Sequence, residues 1–196
     1  MKRWRRLCAA LSGFAACALL GASPALHARE FVLDASHSSI YFAVPHYARS
    51  DIRGRLPQWR ANRLWFDGQQ GEVEIEIDAS QIDSGSRLLD KIIASEQVLD
   101  AENHPQIRFS ARQFEWRDKQ LHALHGELTL HGVRQPLSLR AQRWQCGRIR
   151  IVLIEREVCG GVLRAEFARS AFGIKRYLPE VGDMVQLEIS IEASPR

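Results

Sequence analysis

This 196-residue chain is short of cysteine, of long apolar runs and of acid near its start. No uncharged apolar stretch reaches the roughly 20 residues a bilayer-spanning helix needs, which argues against a polytopic membrane protein. No acid precedes Glu30, whereas Lys2, Arg3, Arg5 and Arg6 are basic. The formal charge of +4 therefore belongs to the first six residues, and without them 23 basic residues face 23 acidic ones. A neutral body without a basic stripe argues against nucleic-acid binding. Signatures such as HExxH, GxSxG and the phosphate loop are absent as well, which argues against an enzyme. Internal repeats and low-complexity linkers are missing too, and the length suits one domain with an appendage.

What the N-terminus does contain is the pattern of an export leader. Leu7 to Ala22, LCAALSGFAACALLGA, is apolar over 16 residues and follows the basic hexapeptide. That is short for an anchor and right for a secretory core segment. Ser23 and Ala25 suit the small positions before a cleavage site, with Ala28 as an alternative. Cleavage after Ala25 or Ala28 is expected, with an uncleaved single-pass anchor as the rival and a weak lipoprotein-like box at Phe14–Cys17. The leader is taken as residues 1–28. Cys8 and Cys17 leave with it, so Cys146 and Cys159 remain as the two cysteines of the exported chain. Two lone cysteines in an oxidising compartment are expected to pair. A metal site needs about four ligands, and no His stands near these two in sequence.

The remaining chain alternates. In Glu72-Val73-Glu74-Ile75-Glu76-Ile77-Asp78 every acid falls on one face and every aliphatic on the other, the mark of a half-buried strand. Val185–Glu192, Ser38–Val44, Ile107–Phe109, Leu128–Leu130, Leu137–Arg140 and Leu163–Phe167 repeat it. Ile149 to Ile154 reads as a strand apolar on both faces, and Leu64-Trp65-Phe66 is too short to assign. Gly68, Gly71, Pro105, Gly126, Gly132, Gly147 and Gly182-Asp183 mark turns between the runs. One interval differs: Leu88, Leu89, Ile92 and Ile93 recur at helical spacing, which predicts a helix near 87–95. About eight short strands with one helix predict an antiparallel barrel or sandwich spanning 30–194. The residues predicted to point inward are Ile40, Phe42, Val44, Val73, Ile75, Ile77, Phe109, Leu128, Leu130, Leu187 and Ile189. Alternation alone leaves open whether they line a cavity or fill a core.

No metal set is expected. His122 and His125 are three apart on a predicted strand and should face opposite ways. Asp34, His37 and Ser38 imitate a hydrolase triad in letters only, because a triad also requires an oriented base and an oxyanion hole.

Five ordered segments carry a family resemblance: Asp34-Ala-Ser-His37-Ser38-Ser-Ile40-Tyr-Phe42-Ala-Val44-Pro-His46 with Gly54, Asn103-His104-Pro105-Gln-Ile107-Arg-Phe109, Gly126–Val133 with its LTLHGV, Arg169-Ser170-Ala-Phe172-Gly173, and Val181-Gly182-Asp183. Together they resemble the YceI-like polyisoprenoid-binding family over about residues 30–193. The segment 144–161, with its two cysteines around an aliphatic run, resembles a cysteine-containing branch. The resemblance implies an all-β, lipocalin-like extended antiparallel β-barrel in the bacterial periplasm. It also implies an interior lined by the residues named above that holds an isoprenoid-type lipid, polyprenyl or quinone-like, with no cofactor required. His46, Arg169 and Asp183 are polar motif positions, read as structural hydrogen-bonding groups or head-group contacts. Two rival readings stay open: a solid barrel acting through a membrane or redox partner, and an enzyme acting on an isoprenoid-like substrate. The oligomeric state, a dimer included, is not legible.

Overall fold

The computed structural model describes residues 29–196; the expected leader lies outside them. Ten strands form in chain order: β1 Arg29–Leu33, β2 Ser39–His46, β3 Ser50–Arg55, β4 Trp59–Phe66 and β5 Gly71–Asp78, followed after a long connection by β6 Gln106–Arg117, β7 Gln120–Leu130, β8 Val133–Ile151, β9 Ile154–Ala168 and β10 Met184–Pro195. The connection from β5 to β6 carries the helix α1, Arg87–Ala94.

All pairings between the strands are antiparallel, and they run β1-β4-β5-β6-β7-β8-β9-β10 with β1 returning to β10. Those eight strands close a barrel, which removes the exposed edges an open sheet would present. The N-terminal half of β10 pairs instead with β2, and β2 with β3. This hairpin continues the wall towards the helix end, where Arg55 bridges to Asp83 and the Leu56 amide donates to the Ile40 carbonyl.

Alternation explains the wall. Val73, Ile75 and Ile77 turn inward from β5 and are buried. The acids between them fall among arginines on both neighbours: Glu76 beside Arg60 and Arg108, Glu72 beside Arg63 and Arg112. Such cross-strand pairs on the outer face contribute roughly 0.2–1 kcal/mol each, and Glu76 is buried beneath its arginines. Gly54 lies opposite Phe42 in the β2–β3 ladder. A Cβ there would stand 2.5 Å from the Phe42 ring, so glycine lets that ring fold across the strand pair.

The predicted helix is found within a residue of its expected ends. Ser86 begins it in an extended conformation, and Asp90 accepts from the Ser84 amide and hydroxyl at 2.7 and 2.6 Å, fixing the approach. Two strand expectations need correction. Ile149–Ile154 is not one strand but the tip of the β8–β9 hairpin, turning at Val152 and Leu153, both 86% exposed. His122 and His125 do not face opposite ways; both are exposed. The ladder shift between Glu115 and Trp116 places an extra residue in β7 and breaks the two-residue period.

Candidate functional site

Two adjoining apolar lobes lie within the barrel and at its helix end, and Leu56, Ile107, Leu130, Phe167 and Leu187 stand in the walls of both. The lobe within the barrel measures about 110 Å³ and the lobe at the helix end about 160 Å³. Of the residues expected to point inward, Ile40, Val73, Ile75, Ile77, Phe109, Leu128 and Ile189 line the first lobe. Phe42 and Val44 line the second, and Leu130 and Leu187 line both.

The walls contain more than alternation revealed. Trp59, Phe114, Trp116, Leu121, Leu124 and Trp144 join the first lobe. Leu89, Ile92 and Ile93 of α1 join the second, together with Ile174, Tyr177 and Val181 from the segment before β10. The helical residues carried a visible spacing signal. Ile174 and Tyr177 carried none, because an irregular loop has no period to read, and Val181 stood out only as part of the Val181-Gly182-Asp183 segment.

No polar atom reaches the wall of the barrel lobe. The indole N–H groups of Trp116 and Trp144 are buried and lack a hydrogen-bond partner among the described residues. A space of this size could hold several waters, yet a water is stabilised only by two to four polar partners. This wall supplies none. Its complementary occupant is hydrocarbon, for which burial contributes roughly 25 cal/mol per Å² of apolar surface.

The hairpin end of the barrel is plugged. Phe31 stacks on Phe66 with ring centroids 4.0 Å apart, and Trp116 and Trp144 pack on Phe66 at 6.1 and 5.8 Å. Cys159, 1% exposed, belongs to the same cluster and is bonded to Cys146 directly across the β8–β9 ladder. The pairing expected from the cysteine count is present.

The three polar motif residues sit at the helix end as parts of the scaffold. Arg169 is 6% exposed and borders the second lobe, but four of its N–H groups donate to the carbonyls of Ile174, Arg176, Val181 and Gly182. Burial pushes its pKa down, with Asp183 opposing. Asp183 accepts from the Ser170 amide and hydroxyl at 2.8 and 2.7 Å, and the hydroxyl in particular holds its carboxyl below the usual range. His46 ends β2, bridges to Val181 and packs edge-on against Tyr47 at 4.6 Å. Neither His46 nor Asp183 is part of a lobe wall.

The apparent triad resolves differently. Ser38 bonds the backbone of Glu192 through both its donor and its acceptor. Asp34 receives Ser36 and the Nδ1 of His37, at 2.5 and 3.1 Å. The Ser36 hydroxyl first, and His37 second, hold the Asp34 carboxyl well below the usual carboxylate range, while Asp34 raises the His37 pKa. Ser36 lies near the same ring nitrogen that meets Asp34, so no relay of base and orienting group forms. Asp34, His37 and Glu192 bring three ligand-type atoms together at the surface.

A closed antiparallel barrel around an apolar space defines a lipocalin-like class of binding fold. The YceI-like domain matches residues 31–193, and the chain belongs to that family. A UPF0312 protein of Shewanella denitrificans is 28% identical over 188 residues, covering 89% of this chain and 94% of its own length. Burkholderia cenocepacia BcnA superposes with a TM-score of 0.68 at 20% identity, covering 83% of this chain and all of that one. A polyisoprenoid binding domain from Saccharophagus degradans, implicated in plant cell wall breakdown, gives 0.58 at 13% identity, over 86% of this chain and 99% of its own.

Proposed function

We propose that this protein is an exported, periplasmic carrier that holds the hydrocarbon chain of an isoprenoid-type lipid, polyprenyl or quinone-like, inside its barrel. The two-lobed space with its apolar wall carries this reading. Family membership and a structural relative described as polyisoprenoid binding support it. Burying one five-carbon isoprene unit contributes roughly 3 kcal/mol gross, so a few units offset the cost of ordering the ligand. Such a site requires neither cofactor nor catalytic residue, and the protein is read as a non-enzyme. Arg169 and Asp183 act as scaffold in this reading, because their hydrogen-bonding groups are committed to the loop they brace. Export rests on the basic hexapeptide and the apolar run Leu7–Ala22. N-terminal sequencing of the exported form should begin at Leu26 or Arg29, and intact Met1 would refute cleavage.

The test of the main reading is gentle purification from the native compartment, organic extraction and mass spectrometry. A stoichiometric isoprenoid lipid is expected. Recovery of protein saturated with a non-isoprenoid lipid, or failure to take up any polyprenol on incubation, contradicts the proposal.

A further inference from the structure

We infer that the rim of the helix-end lobe, formed by α1 and the segment 174–181, docks on an anionic lipid bilayer. The inference rests on the carrier reading and names the surface from which the lipid is taken. Ile92 and Tyr177 are exposed at 36% and 40%, yet both also line the lobe. At these two residues the outer surface and the cavity wall are continuous. Leu88 lies one helical turn before Ile92 and is 72% exposed, so an apolar stripe of α1 faces solvent beside the mouth. Tyr47 adds a second exposed aromatic ring, its amide bonded to the Glu180 carbonyl. Across the mouth, the Tyr177 hydroxyl donates to Gln97 Oε1 at 3.0 Å and links the two lips.

The charges point to the partner. Arg87 and Lys91 flank the stripe on α1, and Lys175 and Arg176 stand on the opposite lip. None of these four forms an ion pair among the described residues; on the barrel wall Arg60, Arg112 and Arg164 are paired, while Arg140 and Arg143 on β8 are not. Among the acids of α1, the connection after it and the opposite lip, Asp90 is tied to Ser84, while Glu96, Glu102 and Glu180 form no ion pair among the described residues. Aliphatic and tyrosine side chains ringed by unpaired cations complement the boundary of an anionic bilayer, where the rings and stems bury and the cations meet phosphate.

The hairpin tip, with Val152, Leu153 and Ile154 exposed, is another apolar surface among the described residues, and it fits this role less well. Arg148 and Arg150 lie opposite Glu157 and Glu155 across the ribbon. Behind the tip, Phe66, Trp116 and Trp144 fill the barrel end.

The experiment is flotation of the full exported chain with phosphatidylcholine vesicles, with and without phosphatidylglycerol, alongside uptake of solanesol from those vesicles. Wild type should bind the anionic vesicles, and added salt should weaken that binding. The double variant Leu88→Glu, Lys91→Glu should lose about tenfold or more in vesicle binding and slow solanesol uptake, yet retain solanesol loaded from detergent. Arg87→Glu with Lys175→Glu provides a second rim variant, and Leu153→Glu at the hairpin tip should bind vesicles as wild type does. Wild type that ignores anionic vesicles overturns the inference, as does loss of binding in Leu153→Glu with both rim variants unaffected. A rim variant that abolishes self-association of a wild type indifferent to vesicles assigns the surface to a second copy and overturns it too. Vesicle binding through the rim without retention of detergent-loaded solanesol upholds docking and rejects the carrier reading.

Discussion

At the hairpin end of the barrel, Phe31 stacks on Phe66 and two tryptophans close over the pair, whereas at the helix end aliphatic side chains from α1 and a loop bound an open lobe. The ladders that make the wall run between both ends. The difference arises in the connections. Tight hairpin turns join β4 to β5, β6 to β7 and β8 to β9 at one end, so large side chains near those turns meet across the axis. At the other end a long connection and an Arg169-braced loop stand across the opening. Regular pairing builds a wall of any filling, and the connecting segments decide which end stays open.

The largest expected break in this contrast is Arg169→Leu. Several backbone carbonyls would lose a charged donor at once, and each such bond contributes about 1.5–3 kcal/mol. With partial rehydration we expect a loss of about 4 kcal/mol in urea unfolding, together with disorder of the helix-end lobe. The hairpin end should be unaffected, as read by protection of the β8–β9 amides. Next in size, the Cys146→Ser, Cys159→Ser double variant opens a loop whose closure is worth about 3 kcal/mol on the chain-entropy model. That loss should appear in unfolding experiments while lipid retention stays as it was, because the bridge lies on the plugged side.

Asp183 sharpens the comparison through pH. Its folded pKa is depressed, chiefly by the Ser170 hydroxyl, with the Ser170 amide and Arg169 adding to it. The stability it contributes is therefore fully present above its unfolded value, near 3.9, and is lost as pH falls through the folded value. Asp183→Asn should cost about 1 kcal/mol near neutrality. The gap from wild type should close in acid unfolding curves measured below about pH 4. A gap that widens in acid contradicts the assignment.

The smallest expected effect lies at the hairpin tip. Val152 has a φ of +56°, a left-handed conformation that costs an L side chain roughly 1–2 kcal/mol. Val152→Gly relieves that strain but adds roughly 0.5–1 kcal/mol of unfolded-chain entropy, so it should raise stability in urea unfolding by about 0.5–1 kcal/mol and leave lipid retention unchanged.

How much of this was legible in the sequence follows the same division. Inward positions on β2, β5, β6, β7 and β10 were readable because a strand has a period of two, and all of them line one lobe or the other. The readings failed where the period breaks. The ladder shift beside Trp116 turned His122 and His125 the same way, and the turn at Val152 cut an apparent strand in two. Strands β1 and β3 passed unseen because each is short, with few inward apolar residues. The tryptophan plug and the 174–181 lip are tertiary features, assembled from segments far apart in the chain, and carry no local pattern.

The central claim is that both lobes are space for a ligand rather than packed core, and enlarging one wall residue in each tests it directly. Val73, 7% exposed, lines the barrel lobe and Val44, 8% exposed, lines the helix-end lobe. In a packed core a Val→Phe change costs about 1–3 kcal/mol through overpacking. The carrier account predicts that delipidated Val73→Phe and Val44→Phe unfold at nearly the wild-type denaturant concentration, while polyprenol retained per folded molecule falls sharply. If both variants are destabilised by that amount and retention is unchanged, the interior is solid at those positions and the account is wrong.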